Sequence, residues 1–126
     1  MSTVNAFKKR RKNDLDFKSY EEFWPFYLSQ HSKSSTRAWH FVGTSFVFVF
    51  ILLTVFTLNF WLLLLAPVTA YAFAWISHFF IEGNKPATFG HPVWSLRADF
   101  RMYRLILFGQ LQKEMDKNPE LRTSAK

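Results

Sequence analysis

The sequence has 126 residues, a formal net charge of +7 and no cysteine. This length allows one domain, and the lack of cysteine excludes disulfides and thiolate metal sites. Residues 38–81 contain no Asp, Glu, Lys or Arg, whereas both flanks are dense in charge. The division is typical of a membrane core with polar flanks. The basic residues are therefore expected to meet anionic lipid head groups rather than nucleic acid.

The two ends of the chain are polar. Residues 1–16 are predicted to form a disordered basic tail, either solvated or attracted to a lipid surface. The basic run 8–12 is followed by a polar stretch with two aspartates, which argues against a signal peptide. Residues 116–126 are predicted to be a flexible polar tail. A single membrane-embedded domain is therefore expected over 17–115.

The first ordered element is predicted over 19–31. Ser19 and Glu22 have the spacing of a capping box, and five large apolar residues follow within the next six positions. Four of those five are aromatic, and aromatic side chains are favoured at the membrane–water interface. We therefore expect a short amphipathic helix that lies at the interface.

The charge-free segment is 44 residues long, from 38 to 81. As one helix it would extend for about 66 Å, whereas a bilayer core is about 30 Å thick and is crossed by about 20 residues. Two spans fit the segment, and Asn59 is the best turn former at its centre. The sequence predicts transmembrane helices over 37–57 and 60–82.

A second amphipathic helix is predicted over 92–115, where apolar residues recur at helical spacing beside three arginines. The predicted fold is thus an all-α integral membrane protein, with one transmembrane helical hairpin flanked by two amphipathic interfacial helices. Lys and Arg flank the spans but are absent from the central turn, so both termini should be cytoplasmic. The membrane would be the inner membrane of a bacterium or the endoplasmic reticulum of a eukaryote. So small a hairpin is also compatible with a homo-oligomer.

Four histidines are predicted to lie at one depth. His40 is 19 residues before Asn59, and His78 is 19 residues after it. An antiparallel hairpin therefore places these two at the same level near the cytoplasmic end. His31 and His91 lie just outside the two spans on the same side. The spacing makes all four candidate metal ligands, and a histidine-rich lipid-phosphate site is the competing interpretation.

Glu82 lies four residues after His78, which on an α-helix places both side chains on one face. Ionisable groups at membrane depth are costly and are functional candidates. An imidazole and a carboxylate can share a proton or a metal, and this ligand set suits iron, zinc or manganese. The alternative is that Glu82 only caps a helix or pairs with Arg37 or Lys85.

Three blocks of sequence, FYLSQHS (26–32), RAWHFVGT (37–44) and WISHFFIEGNKPA (75–87), resemble the 2-hydroxy fatty acid dioxygenase family. The resemblance covers 20–108, and its specificity comes from the spaced histidines rather than from the apolar spans. It implies a membrane-embedded, Fe(II)-dependent dioxygenase of fatty acid α-oxidation. Such an enzyme uses O2 to convert a 2-hydroxy fatty acid to the fatty acid one carbon shorter.

The resemblance also implies roles for particular residues. His31, His40 and His78 match the family's polar motif positions and would hold Fe(II), with His91 as a further candidate ligand. Glu82 also matches and would be catalytic, either as a ligand or as the group that orients His78.

Arg37 or Lys85 would receive the carboxylate of the substrate. Asp99 and Arg101 are further candidates, although such a pair on a surface helix is more often solvated charge. Two other functions compete with the enzyme. One is a non-catalytic membrane module that binds anionic lipid or a partner protein through its basic aromatic face. The other is a metal-binding or transport accessory, which ranks last because one hairpin is too small for a conduction path.

Overall fold

The computed structural model describes residues 17–118, and this part of the chain is helical and contains no strand. The α-helices are α1 (Tyr20–Ser29), α2 (Ser34–Thr57), α3 (Leu62–Ile76), α4 (Pro92–Leu107) and α5 (Leu111–Asp116). A π-helix (Ser77–Glu82) continues α3, and a 3-10 turn (Ala87–Phe89) precedes α4. The predicted basic tail, and positions 119–126 of the predicted polar tail, lie outside the described residues.

Helix α2, and α3 with its π-helical extension, form the predicted hairpin. Ser34–Thr57 has a mean hydropathy of 2.0 and Leu62–Glu82 one of 1.6, and each is long enough to cross a bilayer. Only 22 % and 17 % of their apolar windows are buried, so their surfaces are not those of core helices in a soluble protein. The exposed residues include Phe56, Phe60 and Trp61, each more than two thirds exposed. The hairpin prediction is confirmed, with α2 beginning three residues earlier than expected.

The turn between the spans lies at the predicted position. Helix α2 ends at Thr57, and Leu58 adopts a left-handed conformation with φ of 57°. The Asn59 side chain accepts a hydrogen bond from the backbone N–H of Trp61 at 3.3 Å. The backbone N–H of Asn59 in turn donates to the hydroxyl of Thr57 at 3.3 Å. Asn59 therefore satisfies groups on both sides of the turn, as a residue with a short polar side chain can.

Small residues form the contact between the two spans. Gly43 and Thr44 of α2 and Ala66 of α3 are buried, unlike most of the larger side chains around them. A Cβ atom at Gly43 would lie 2.7 Å from Cβ of Phe73 and 3.4 Å from the carbonyl oxygen of Ala70. Glycine at position 43 therefore lets α2 and α3 approach closely, as small residues do where helices pack in membrane proteins.

Helix α1 packs in a core that α4 and α5 help to form. The buried side chains of α1 include the aromatic residues predicted for the interface: Phe23, Trp24, Phe26 and Tyr27. The guanidinium of Arg97 lies 4.0 Å from the ring centre of Tyr20, and that of Arg101 lies 4.2 Å from that of Trp24. These cation–π contacts fasten α4 to α1.

The single helix predicted over 92–115 is two helices. Helix α4 ends before Gly109, which has φ of 67°, a conformation that costs glycine little. The backbone N–H of Gly109 donates to the carbonyl of Ile106 at 3.1 Å, and that of Gln110 to the carbonyl of Leu105 at 2.7 Å. This pair of bonds is a Schellman motif, which ends the helix and redirects the chain into α5.

The amphipathic character predicted for α4 is present in the structure. Its buried face consists of Ser95, Ala98, Met102 and Leu105. Its apolar residues Val93, Leu96 and Leu107 are at least half exposed. The helix lies against α2, where the ring of Tyr103 stacks on that of Phe41 at 4.7 Å. Its outer apolar face thereby adjoins the exposed surface of the hairpin, as expected for a helix at the membrane interface.

Gly43→Ala should lower the melting temperature of the protein in detergent. Overpacking costs about 1–3 kcal/mol, and this should outweigh the roughly 1 kcal/mol by which alanine favours a helix over glycine. Fluorescence-detected size-exclusion chromatography after heating would measure the change. Val49→Leu, which adds bulk on an exposed position of the same helix, is the control and should leave the melting temperature unchanged. An equal or higher melting temperature for Gly43→Ala would contradict the close approach.

Candidate metal centre

Three segments of the chain each supply one buried histidine to a single cluster. His31 lies in the loop after α1, His40 in the second turn of α2, and His78 in the π-helix that follows α3. Their exposed fractions are 1 %, 6 % and 2 %. Histidine is seldom so fully buried without a partner, and here three are buried together.

The three rings converge through their Nε2 atoms. Nε2 of His40 lies 3.1 Å from Nε2 of His31 and 3.2 Å from Nε2 of His78. The ligand atoms of the three histidines all lie within 4.8 Å of one another, close enough to hold one metal ion. Among residues 17–118, this is the group of histidine and carboxylate side chains that meets this condition. The hairpin turn thus brings His40 and His78 together as the residue count predicts.

The opposite ring nitrogens of His31 and His78 have hydrogen-bond acceptors. Nδ1 of His31 donates to the backbone carbonyl of Tyr27 at 2.7 Å. Nδ1 of His78 donates to Oδ1 of Asn84 at 2.6 Å, and Nδ2 of Asn84 donates to the carbonyl of Gln30 at 3.0 Å. These acceptors place the proton on Nδ1, so Nε2 of both rings presents a lone pair.

His40 faces a carboxylate from α4. Its Nδ1 lies 3.8 Å from Oδ1 of Asp99, and the same oxygen accepts a hydrogen bond from the hydroxyl of Tyr27. Burial raises the pKa of Asp99 to about 7, an effect that the hydrogen bond from Tyr27 opposes. Burial, followed by the charge of Asp99, raises the pKa of Tyr27 well above 10, so the phenol stays protonated and donates.

This arrangement fits a metal cation. His31 and His78 both present lone pairs, and the single Nε2 of His40 carries at most one proton, which cannot serve both neighbours. At least one of the two contacts that Nε2 of His40 makes, with His31 or with His78, therefore has no hydrogen atom between the two nitrogens. Burial and the neighbouring imidazoles of His40 and His78 hold the pKa of His31 well below its ordinary value, so protonation does not relieve the repulsion.

The spacing of the nitrogens supports the same conclusion. Two imidazole nitrogens bound at about 2.1 Å to one metal at right angles lie about 3 Å apart, close to the separations of 3.1 and 3.2 Å. Three neutral imidazoles without thiolate suit iron, zinc, copper or nickel. Three histidine ligands would leave at least one further coordination position open.

Glu82 lies at the edge of the cluster and binds a loop. Its carboxylate accepts hydrogen bonds from the backbone and hydroxyl of Ser32, from the backbone of Lys33 at 3.2 Å, and from the hydroxyl of Thr36 at 2.5 Å. The sequence predicts that His78 and Glu82 can share a metal or a proton. The carboxylate of Glu82 instead bonds the loop after α1 and the start of α2, and Glu82 is not among the clustered ligand candidates.

The two candidate cations have different surroundings. One guanidinium nitrogen of Arg37 donates to the carbonyls of His31 at 2.8 Å and Ser32 at 2.9 Å, so this residue holds the loop that carries His31. Lys85 is exposed on the loop after the π-helix, next to Asn84. Neither residue is among the ligand candidates of the cluster.

His91 lies apart from the cluster of three. Its ring stacks on that of Trp94 at 4.9 Å and meets the edge of Phe23 at 5.4 Å, within the core beneath α1. Its sequence position near the end of the second span is compatible with a place in the cluster and with a place beside Trp94. The packing of α1 against α4 decides between them.

Sequence reasoning misses two residues beside the cluster, Tyr27 and Asn84. It gives Asp99 only as a further candidate, in a pair with Arg101 that is more often solvated charge. A signal was present, since Asp99 is the only acidic residue between Glu82 and Glu114, in a helix that carries three arginines. A lone acid among basic residues on an interfacial helix is a candidate for a buried partner.

A cavity of about 230 Å³ opens beside the cluster between α2, α3 and α4. His40 and Asp99 lie at its wall, and most of the remaining lining is apolar. The metal cluster therefore borders a space suited to an apolar molecule with a polar end.

Residues 17–111 match the protein family described as 2-hydroxy-palmitic acid dioxygenase Mpo1-like. The chain belongs to this family. No curated protein and no solved structure gives a significant match to the chain. The family match includes all three clustered histidines, so the resemblance seen in the sequence blocks is confirmed. The family name is that of a dioxygenase, and the three buried histidines could bind a metal ion.

Replacing His40 or His78 with alanine should abolish metal binding, because the ion would keep only two of its three imidazole ligands. Metal content of gently purified protein, measured by inductively coupled plasma mass spectrometry, should fall from near one ion per chain to background. His91→Ala is the matched control and should retain the metal. Retention of the ion in both His40→Ala and His78→Ala would eliminate this site.

Asn84→Ala should weaken metal binding by roughly 10- to 100-fold, because His78 would lose the acceptor that fixes its tautomer. Asn84→Asp keeps an acceptor oxygen toward Nδ1 of His78 and should lose much less affinity. Competition against a chelator of known affinity would measure both constants. Equal losses in the two variants would show that Asn84 acts on folding rather than on the ring of His78.

Proposed function

We propose that the protein is a membrane-bound, Fe(II)-dependent dioxygenase that shortens 2-hydroxy fatty acids by one carbon. The proposal rests chiefly on the buried three-histidine cluster in a member of a dioxygenase family. The overall reaction is RCH(OH)COOH + O2 → RCOOH + CO2 + H2O. The substrate gives up four electrons and O2 accepts four, so no external reductant is needed.

Fe(II) is favoured over the other metals because the reaction is an oxidation by O2. When bound, iron supplies the redox chemistry that no side chain in this sequence can supply. His31, His40 and His78 would hold it, and the carbonyl of Tyr27, Asn84 and Asp99 would orient their rings.

The side chains around the cluster would position rather than react. Glu82 would fix the loop that carries His31, through its bonds to Ser32 and Thr36. Arg37 would hold the same loop from the other side, through the carbonyl of His31. Lys85, exposed beside the site, would attract the carboxylate of the substrate to this membrane face. Burial of the three imidazoles would keep bulk water from the reacting atoms.

The membrane location fits the substrate class. The two apolar spans expose a surface suited to lipid, and a long acyl chain partitions into the same environment. Lys and Arg flank the spans and are absent from the turn, which supports cytoplasmic termini and a cytoplasmic site. A simple lipid-binding module would gain nothing from three buried imidazoles, since burying polar groups is costly. Homo-oligomer formation stays a prediction.

An oxygen-dependence assay tests the proposed function. Iron-loaded protein in detergent should convert 2-hydroxypalmitate labelled with carbon-13 at the carboxyl carbon to unlabelled pentadecanoic acid and labelled CO2. Both products should form in air and neither under nitrogen. His40→Ala should lose this activity by more than 100-fold, whereas His91→Ala, with the metal cluster intact, should keep most of it. Iron-loaded wild-type protein that forms no shortened acid in air would refute the assignment.

A further inference from the structure

The cavity beside the metal cluster is enclosed by one face from each of three helices. The lining includes His40, Thr44 and Val47 from α2, and Leu96, Asp99 and Phe100 from α4. Helix α3 contributes Pro67, Tyr71 and three alanines, Ala66, Ala70 and Ala74, which recur every four residues and so share one face. These three alanines define the alanine face of α3.

The polar and apolar parts of the wall are separated along the helices. His40 and Asp99 mark the end next to the metal cluster. The three alanines lie about one, two and three helical turns from His78, at increasing distance from that end. At 1.5 Å per residue, Ala74, Ala70 and Ala66 are about 6, 12 and 18 Å from His78 along the helix axis. Position on this face therefore measures distance from the reacting centre.

The wall of the cavity reaches the outer surface of the protein at α4. Leu96 and Phe100 of this helix line the cavity and are 50 % and 39 % exposed. Its volume of about 230 Å³ is below the roughly 300–1,000 Å³ of pockets that enclose a whole drug-sized ligand. The cavity thus has room for part of a long chain, and the remainder would emerge past α4 into the bilayer.

We propose that this cavity holds the acyl chain next to the reacting carbons, and that the alanine face of α3 determines which chain lengths are accepted. The inference rests on the proposed function, because the polar end of the chain is placed by the metal cluster. It adds an assignment of specificity: small side chains at 66, 70 and 74 leave a path for a straight saturated chain. Entry would be lateral, from the bilayer past Leu96 and Phe100.

The test is a series of leucine substitutions assayed with 2-hydroxy acids of 8, 10, 12, 14 and 16 carbons. Each leucine should block the chain at its own depth, lowering turnover roughly 10-fold or more for acids that reach beyond it. The blocking length should increase in the order Ala74→Leu, Ala70→Leu, Ala66→Leu. Ala72→Leu makes the same change at an exposed position of the same helix and should keep the wild-type profile.

Binding is measured separately from turnover. Under nitrogen, the rise in melting temperature of metal-loaded protein on adding each acid should show the same order of blocking lengths. If this order appears but no shortened acid forms in air, the proposed function fails and the cavity assignment stands. If products form but the three alanine variants keep the wild-type profile, the cavity assignment fails and the proposed function stands.

A substitution that reduces bulk keeps the proposal testable if a leucine variant does not fold. Leu96→Ala removes a half-exposed side chain from the cavity mouth. It should raise turnover of a 2-hydroxy acid carrying a methyl branch near its middle at least twofold relative to the straight 16-carbon acid. Wild-type metal content shows that each variant is folded. An unchanged preference in Leu96→Ala would overturn the lateral path.

Discussion

The structure depends on three buried imidazoles whose Nε2 atoms converge, with Nε2 of His40 lying 3.1 Å from that of His31 and 3.2 Å from that of His78. Lone pairs at such separations repel, and burial removes the water that would otherwise screen or protonate them. A cation between the nitrogens would replace this repulsion with three bonds. The fold must therefore bring three separate segments to one point, and it fixes the rings of His31 and His78 by hydrogen bonds at their opposite nitrogens.

The helices around the cluster serve this placement in two ways. The small-residue contact at Gly43 brings α2 and α3 close enough for His40 and His78 to meet. The core of α1, α4 and α5 supports the loop of His31, and Arg37 and Glu82 bind that loop through its backbone and hydroxyl groups. The result is a polar centre beside an apolar cavity, at one end of a hairpin whose exposed surface suits lipid. A lipid-borne acid needs both environments within a few ångströms.

Several features could be predicted from the sequence because their causes are local or geometric. A charge-free segment of 44 residues is too long for a single crossing of a bilayer about 30 Å thick, and its length fits two antiparallel spans. Equal counts from Asn59 then place His40 and His78 at one depth, and the structure brings them together. His31 needed only a short connection to join them. Capping by Ser19 and the turn at Asn59 also follow from the hydrogen-bonding capacity of single side chains.

The sequence by itself thus determined the hairpin and the meeting of His40 and His78, because helix rise, hydropathy and residue counts need no knowledge of distant contacts. Only the tertiary structure decided which polar groups meet at the site. The loop after α1 and the start of α2 bind the carboxylate of Glu82, a left-handed Gly109 divides the last helix, and the docking of α4 brings Asp99 to His40 while His91 packs against Trp94. Each of these outcomes depends on how whole helices pack, and α-helical periodicity does not encode that packing.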